Sequence, residues 1–350
     1  VRPPRPLATL GLAVLLAAPA AARPKVKELI ARFKAASGDE RVALAEALGR
    51  TQDKAAVDAL MLAFDVRKGS PREMTAIAEG LGRAGDSRAS AELAAADDYL
   101  RSAAVEMSGL TPALEALRVA VLGAAGRCSG PASVRLLESS LNDDDPRVVV
   151  EAERGLGRLR VTDALAMLEQ MASSGGDQAQ AAIEALADIG DKRAVSTIEN
   201  GLASSDKFIE IESSYALARL GEDGMIERLE AMLKVDPGAE RVGLVAAYYL
   251  VRLDRASGLS HLETLLKGED VTYAVLAADM LGKSSNPKAV PLLIQAAGSD
   301  EPTLRVAIAR SLGLLGGPRA VLELKKLRAD TNEPVRSAAL SALAELGELD

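Results

Sequence analysis

The sequence predicts an all-α solenoid, a stack of about ten short helix pairs. Three observations predict it. A leucine recurs at Leu48, Leu81, Leu122, Leu156, Leu186, Leu217, Leu250, Leu281, Leu312 and Leu343, in steps of 30 to 34 residues apart from one step of 41 between Leu81 and Leu122. Apolar residues follow helical spacing, and strand-type alternation is absent. Aromatic residues make up only 2% of the 350, with no Trp. A core without large rings consists of thin layers of Ala, Leu, Val and Ile, which stacked helices supply.

Each unit opens its first helix at a proline. Pro71, Pro112, Pro146, Pro302 and Pro334 lie nine or ten residues before the marker leucine, behind Ser70, Thr111, Asp145, Glu301 and Glu333. Proline suits the first helical turn, and a Ser, Thr or Asp before it caps the free amides. Glycine follows the marker at positions 49, 82, 123, 157, 282 and 313, and again at 85, 126, 190, 221, 316 and 347. The first set permits close helix packing; the second suits a left-handed helix stop. The second helix carries one apolar stripe, as in Val134, Leu137 and Leu141 or Ile226, Leu229 and Leu233. A single pair cannot bury both its stripes, whereas stacked pairs share one continuous core.

These residues carry a resemblance. Asn286-Pro287-Lys288-Ala289-Val290-Pro291-Leu292-Leu293 resembles the second helix of a HEAT repeat, and Glu333-Pro334-Val335-Arg336-Ser337-Ala338-Ala339 resembles the first. The unit of about 31 residues is similar to the short bacterial subtype found in phycobilin lyases. The resemblance covers roughly residues 25–350 and implies a curved surface that holds a protein partner, with no catalytic residue to carry over.

Residues 1–22 read as a cleavable signal peptide. Arg2 and Arg5 precede an apolar run from Leu7 to Ala18, and Ala20-Ala21-Ala22 offers a small-residue cleavage site. Residues 23–350 read as a single solenoid. The expected location is periplasmic or secreted. Later apolar runs are too short to span a membrane.

Composition narrows the chemistry. The net charge is −8; loss of residues 1–22 removes Arg2 and Arg5 and no acid, leaving −10. An acidic chain of this kind is a poor ligand for nucleic acid. One cysteine, Cys128, excludes an internal disulfide, and one histidine, His261, leaves few metal or nucleophile–base arrangements. Four stacking steps place those two residues on the order of 35–40 Å apart, too far for a catalytic pair. Phosphate-loop, dinucleotide and nucleophile-elbow motifs are absent. Neither a cofactor nor catalysis is expected. Two other readings stay open: an enzyme or enzyme partner of the phycobilin-lyase type, and a cytosolic regulatory adaptor with an uncleaved leader.

The candidate binding residues come from departures between units. Glu138, Glu169, Glu199, Glu230 and Glu263 occupy one second-helix position in five consecutive units, where similar repeats place an apolar residue. They form either an acidic groove for a partner with a basic segment or a set of ion pairs with residues such as Arg135, Arg193 and Arg228. Tyr215 and Tyr248 share a first-helix column that elsewhere holds charged residues, so the column should be solvated; the two tyrosines form either a recognition patch or contacts partly buried under neighbouring loops. The long step after Leu81 implies extra material within residues 95–110, as a longer helix or a loop. Asn142-Asp143-Asp144-Asp145 reads as a helix cap and solvated loop, since its spacing does not fit a calcium loop.

Overall fold

The computed structural model describes residues 26–107, 109–234 and 240–348. The leader expected over residues 1–22 lies outside them. The helices fall into two compact units, one up to Asp223 and one from Gly224.

The first unit holds α1 (Val26–Ala35), α2 (Gly38–Thr51), α3 (Lys54–Ala63), α4 (Pro71–Ala84), α5 (Ser90–Glu106), α6 (Pro112–Ala125), α7 (Pro131–Ser140), α8 (Pro146–Arg158), α9 (Leu165–Met171), α10 (Gly176–Ile189), α11 (Val195–Gly201) and α12 (Lys207–Leu220). The even-numbered helices α2 to α12 are first helices, each packed against the next, and α1 covers the start. The second unit holds α13 (Met225–Ala231), α14 (Glu240–Arg252), α15 (Ala256–Leu266), α16 (Val271–Lys283), α17 (Ala289–Ala296), α18 (Pro302–Leu315), α19 (Pro318–Leu327) and α20 (Glu333–Leu346). Here α14, α16, α18 and α20 are the first helices.

Capping chemistry sets the helix starts. Ser70 Oγ accepts from the Glu73 amide and Asp145 from the Arg147 amide, each ahead of a first-turn proline. Thr111 and Glu301 precede their prolines without a side-chain cap bond. At α20 the cap is Asn332, which accepts from the Val335 amide, so Glu333 is already helical. Gly85 ends α4 with φ 66°, a left-handed stop that returns its amide to the Leu81 carbonyl. Gly126 departs from this pattern: its φ is −66°, and the chain continues through a turn to Cys128.

All ten marker leucines are buried, Leu217 included at 1% exposure. The glycines after them let first helices touch. A Cβ on Gly157 would lie 2.5 Å from the Ala185 Cα, so α8 and α10 meet nearly backbone to backbone.

The extra residues after Leu81 form a longer second helix. α5 runs 17 residues, and its last turn presents Val105 at 83% exposure beside exposed Met107. Its middle carries a buried acid–base network. Arg118 of α6 donates from Nε to Asp97 at 2.8 Å and from its two terminal nitrogens to Asp143 at 3.0 and 2.5 Å. Arg101 closes on the second Asp97 oxygen at 2.9 Å. Asp97 is fully buried, and burial pushes its carboxyl above the ordinary range despite both arginines.

Candidate functional site

The glutamate row is built by register. Each glutamate directly follows the buried second-helix contact, Leu137, Leu168, Ile198, Leu229 or Leu262. A residue one step past a buried position lies about 100° round the helix, at the edge of the apolar stripe. Glu138 and Glu199 are exposed, and Glu169 is half-buried. These three stand on α7, α9 and α11 of the first unit.

Among the described residues, none of the three has an ion-pair partner within 4 Å. Arg193, offered by the sequence as a partner, instead donates to Asp191 at 2.7 Å. Its bonds hold the Asp191 carboxyl down at about 2. Glu169 and Arg193 line the same shallow groove without forming an ion pair. That groove, about 350 Å³, is lined by Leu165, Ala166 and Glu169 on one side and Arg193, Ser196 and Thr197 on the other. A second groove of about 340 Å³ lies between α5 and α7, where Asp98, Arg101, Arg135 and Ser139 supply its polar lining.

The glutamates of the second unit differ. Glu230 accepts from Ser257 Oγ at 2.7 Å, and Glu263 pairs with Lys267 one turn on at 2.6 Å. Both are half-buried. The row therefore divides into three open carboxylates and two engaged ones.

Of the two readings of the tyrosine column, burial holds for Tyr215. Tyr215 is buried, 4% exposed, and the Arg219 guanidinium lies over its ring at 5.6 Å. A residue so enclosed offers little contact area. Tyr248 is half-buried, with Arg252 at 5.6 Å from its ring and Tyr249 at 5.1 Å. In each tyrosine an arginine occupies one ring face as an intramolecular contact.

Other candidate groups resolve plainly. Cys128 is fully buried, its Sγ 3.6 Å from the Leu81 carbonyl, and burial pushes its thiol up to about 11. His261 is half-buried, and desolvation lowers its pKa. In the acidic loop, Asp143 is held by Arg118, while Asp145 caps α8 and binds Arg147 at 2.7 Å. Among the described residues, no group of three or more His, Cys, Asp or Glu is placed to hold a metal ion, and no helix is long and apolar enough to cross a membrane.

Sequence reasoning missed two features. One is the Arg118 network, whose signal is an arginine 25 residues before an aspartate, repeated by Arg305 and Asp330. The other is Glu153, a fully buried glutamate on α8.

Stacked helix pairs with ridges of small residues at their contacts define an α-solenoid. The family model for HEAT repeats matches residues 177–250 and 259–344, and the PBS lyase HEAT-like repeat matches 40–65. The chain belongs to the HEAT-repeat proteins, with short repeats of the phycobilin-lyase type. No curated protein matches it. Among solved structures it is similar to human deoxyhypusine hydroxylase in complex with glycerol, at 18% identity over 72% of this chain and 97% of that one, TM-score 0.36. It is similar to the complex of CpcE and CpcF of phycocyanin lyase from Nostoc sp. PCC7120, at 18% identity over 88% and 96%, TM-score 0.36. An engineered protein matches at 17% identity over 92% and 98%, TM-score 0.35. Superpositions this loose carry nothing about activity.

Proposed function

We propose that this chain is an exported, non-catalytic scaffold that holds a basic segment of a protein or peptide partner along Glu138, Glu169 and Glu199. The observation that carries the reading is the open state of those three carboxylates on successive second helices, beside a cation, Arg193, that is committed elsewhere. The three carboxylates recur once per repeat on successive second helices, so one extended segment with spaced lysines or arginines would meet them in turn. Each contact is weak in water, and their sum is set by complementarity and by salt. The buried Cys128 thiol supports a non-catalytic role, because a thiol held in its neutral form is a poor nucleophile.

The test is fluorescence anisotropy with a labelled lysine- and arginine-rich peptide. The triple variant Glu138→Gln, Glu169→Gln, Glu199→Gln should bind about tenfold or more weakly than wild type at low salt, with unchanged helical circular dichroism. Equal affinity would remove the row as the binding surface. Export is tested separately by the mass of the native mature protein, which should lack residues 1–22.

A further inference from the structure

Glu153 breaks a column of small or apolar residues. Counted from the marker leucine, the same place on the other first helices of its unit holds Ala45, Ala78, Val119, Ile183 and Ser214. Glu153 stands one turn before Gly157 on the same face of α8, and Gly157 is the residue whose Cβ would collide with Ala185 of α10. Glu153 therefore stands on the face of α8 that packs against α10. It is fully buried, and neither oxygen has a hydrogen-bond partner.

No opposite charge bonds to it there. Glu115 of α6 binds Arg147, and Arg118 of α6 binds Asp97 and Asp143. Arg135 and Glu138 of α7 are exposed. On α10, Asp177 is exposed, Glu184 pairs with Arg154 at 3.4 Å and Asp188 pairs with Arg219 at 2.6 Å. On α8 itself, Glu151 is engaged by Arg154 and Arg158. Burial raises the Glu153 carboxyl to about 8, and the neighbouring Arg154 charge offsets only part of that rise. A bare carboxylate without a partner in such a place is strongly disfavoured.

We propose that the α8–α10 contact is a pH-operated joint: Glu153 as the neutral acid lets the two helices stay packed, and its ionisation favours their separation. The proton passes to bulk water, and the carboxylate gains hydration only when α8 moves off α10. The joint is a property of the fold, whether or not the glutamate row holds a partner.

The sign follows from proton linkage. Between the ordinary carboxylate range and about 8, the packed form binds one more proton than the opened form, so packing weakens as pH rises. Amide hydrogen exchange in α8 and α10, corrected for intrinsic rate, reads this directly. In wild type the opening constant should rise about tenfold per pH unit from pH 5 to 8 and then level off. Glu153→Gln should abolish that rise. A wild-type opening constant that is flat across the range, or the same rise in the variant, would overturn the joint. If Glu153→Gln does not fold, nuclear magnetic resonance of wild type labelled with ¹³C-carboxyl glutamate decides. A glutamate carboxyl titrating above pH 7 is the expected result, and its absence overturns the proposal.

Discussion

Arg305 grips Asp330 with two parallel bonds, Nε to one carboxylate oxygen at 2.8 Å and a terminal nitrogen to the other at 2.9 Å. The same arginine donates to the carbonyls of Ser299 and Asp300 at 2.8 and 3.1 Å. Asp330 in turn accepts from the Asn332 amide at 2.8 Å, so one carboxylate ties a first helix to the loop that starts the next. Arg118 and Asp143 repeat the arrangement 25 residues apart, with Asp143 accepting from the Asp145 amide. Both pairs are nearly closed to solvent, and fork-to-fork geometry is the strong form of this contact.

Arg305→Ala should therefore cost about 2–3 kcal/mol, since it strands a carboxylate and two loop carbonyls together. A urea denaturation series with Asp330→Ala and the double variant measures the pair. A coupling of about 1 kcal/mol or more is expected; additive single effects would show that the bonds do not cooperate.

Acid should undo the same clamp. Hydrogen bonds from Arg305 and the Asn332 amide hold the Asp330 carboxyl below its ordinary value. Burial pushes Asp143 up, but bonds from Arg118 and the Asp145 amide outweigh it and hold the carboxyl low. A lowered folded value means that the stabilisation is complete above the ordinary carboxylate range and lost as pH falls through the lowered one. Stability at the acid end should fall with pH in wild type, and Arg305→Ala should shift the acid-unfolding midpoint upward. Glu153 acts in the opposite direction as pH rises from the ordinary carboxylate range to about 8, so the profile of the first unit should peak near mildly acidic pH.

Two glycines should answer substitution with opposite signs. Gly157→Ala forces a Cβ to within 2.5 Å of the Ala185 backbone and 2.8 Å of its side chain, and should cost about 2 kcal/mol or more. Gly298 has nothing within 4 Å of such a Cβ, so Gly298→Ala should stabilise by about 0.4–1 kcal/mol through the unfolded chain. Thermal melting of both variants checks the contrast, and a harmless Gly157→Ala would mean that α8 and α10 separate freely.

Cys128 should serve as a reporter of unfolding. Its thiol is fully buried with a raised pKa of about 11, so iodoacetamide at pH 8 should label it only when the first unit opens. Labelling as fast as for a free thiol in the native protein would contradict this burial.

The candidate site was only partly legible in the sequence. Glu138, Glu169 and Glu199 share a column because helical period fixes their place beside Leu137, Leu168 and Ile198. Whether a carboxylate is open depends on a second residue, and that choice is not local. Arg193 serves both as a possible partner for Glu169 and as a neighbour two residues from Asp191; the short link to Asp191 wins because closing it costs little chain entropy. Ser257 reaches Glu230 from 27 residues away, which no spacing rule announces.

By itself the sequence determined the helix pairs. Marker leucines, proline starts and glycine stops act within a few residues, through backbone geometry and the 3.6-residue period, so they survive without knowledge of the neighbours. Tertiary structure decided exposure and charge. It buried Tyr215 in a column expected to be solvated, made the residues after Leu81 a longer helix around Asp97, and enclosed Glu153 between α8 and α10. Those outcomes depend on which side chains a neighbouring helix presents across a contact, and on the cost of removing a charge from water at that place.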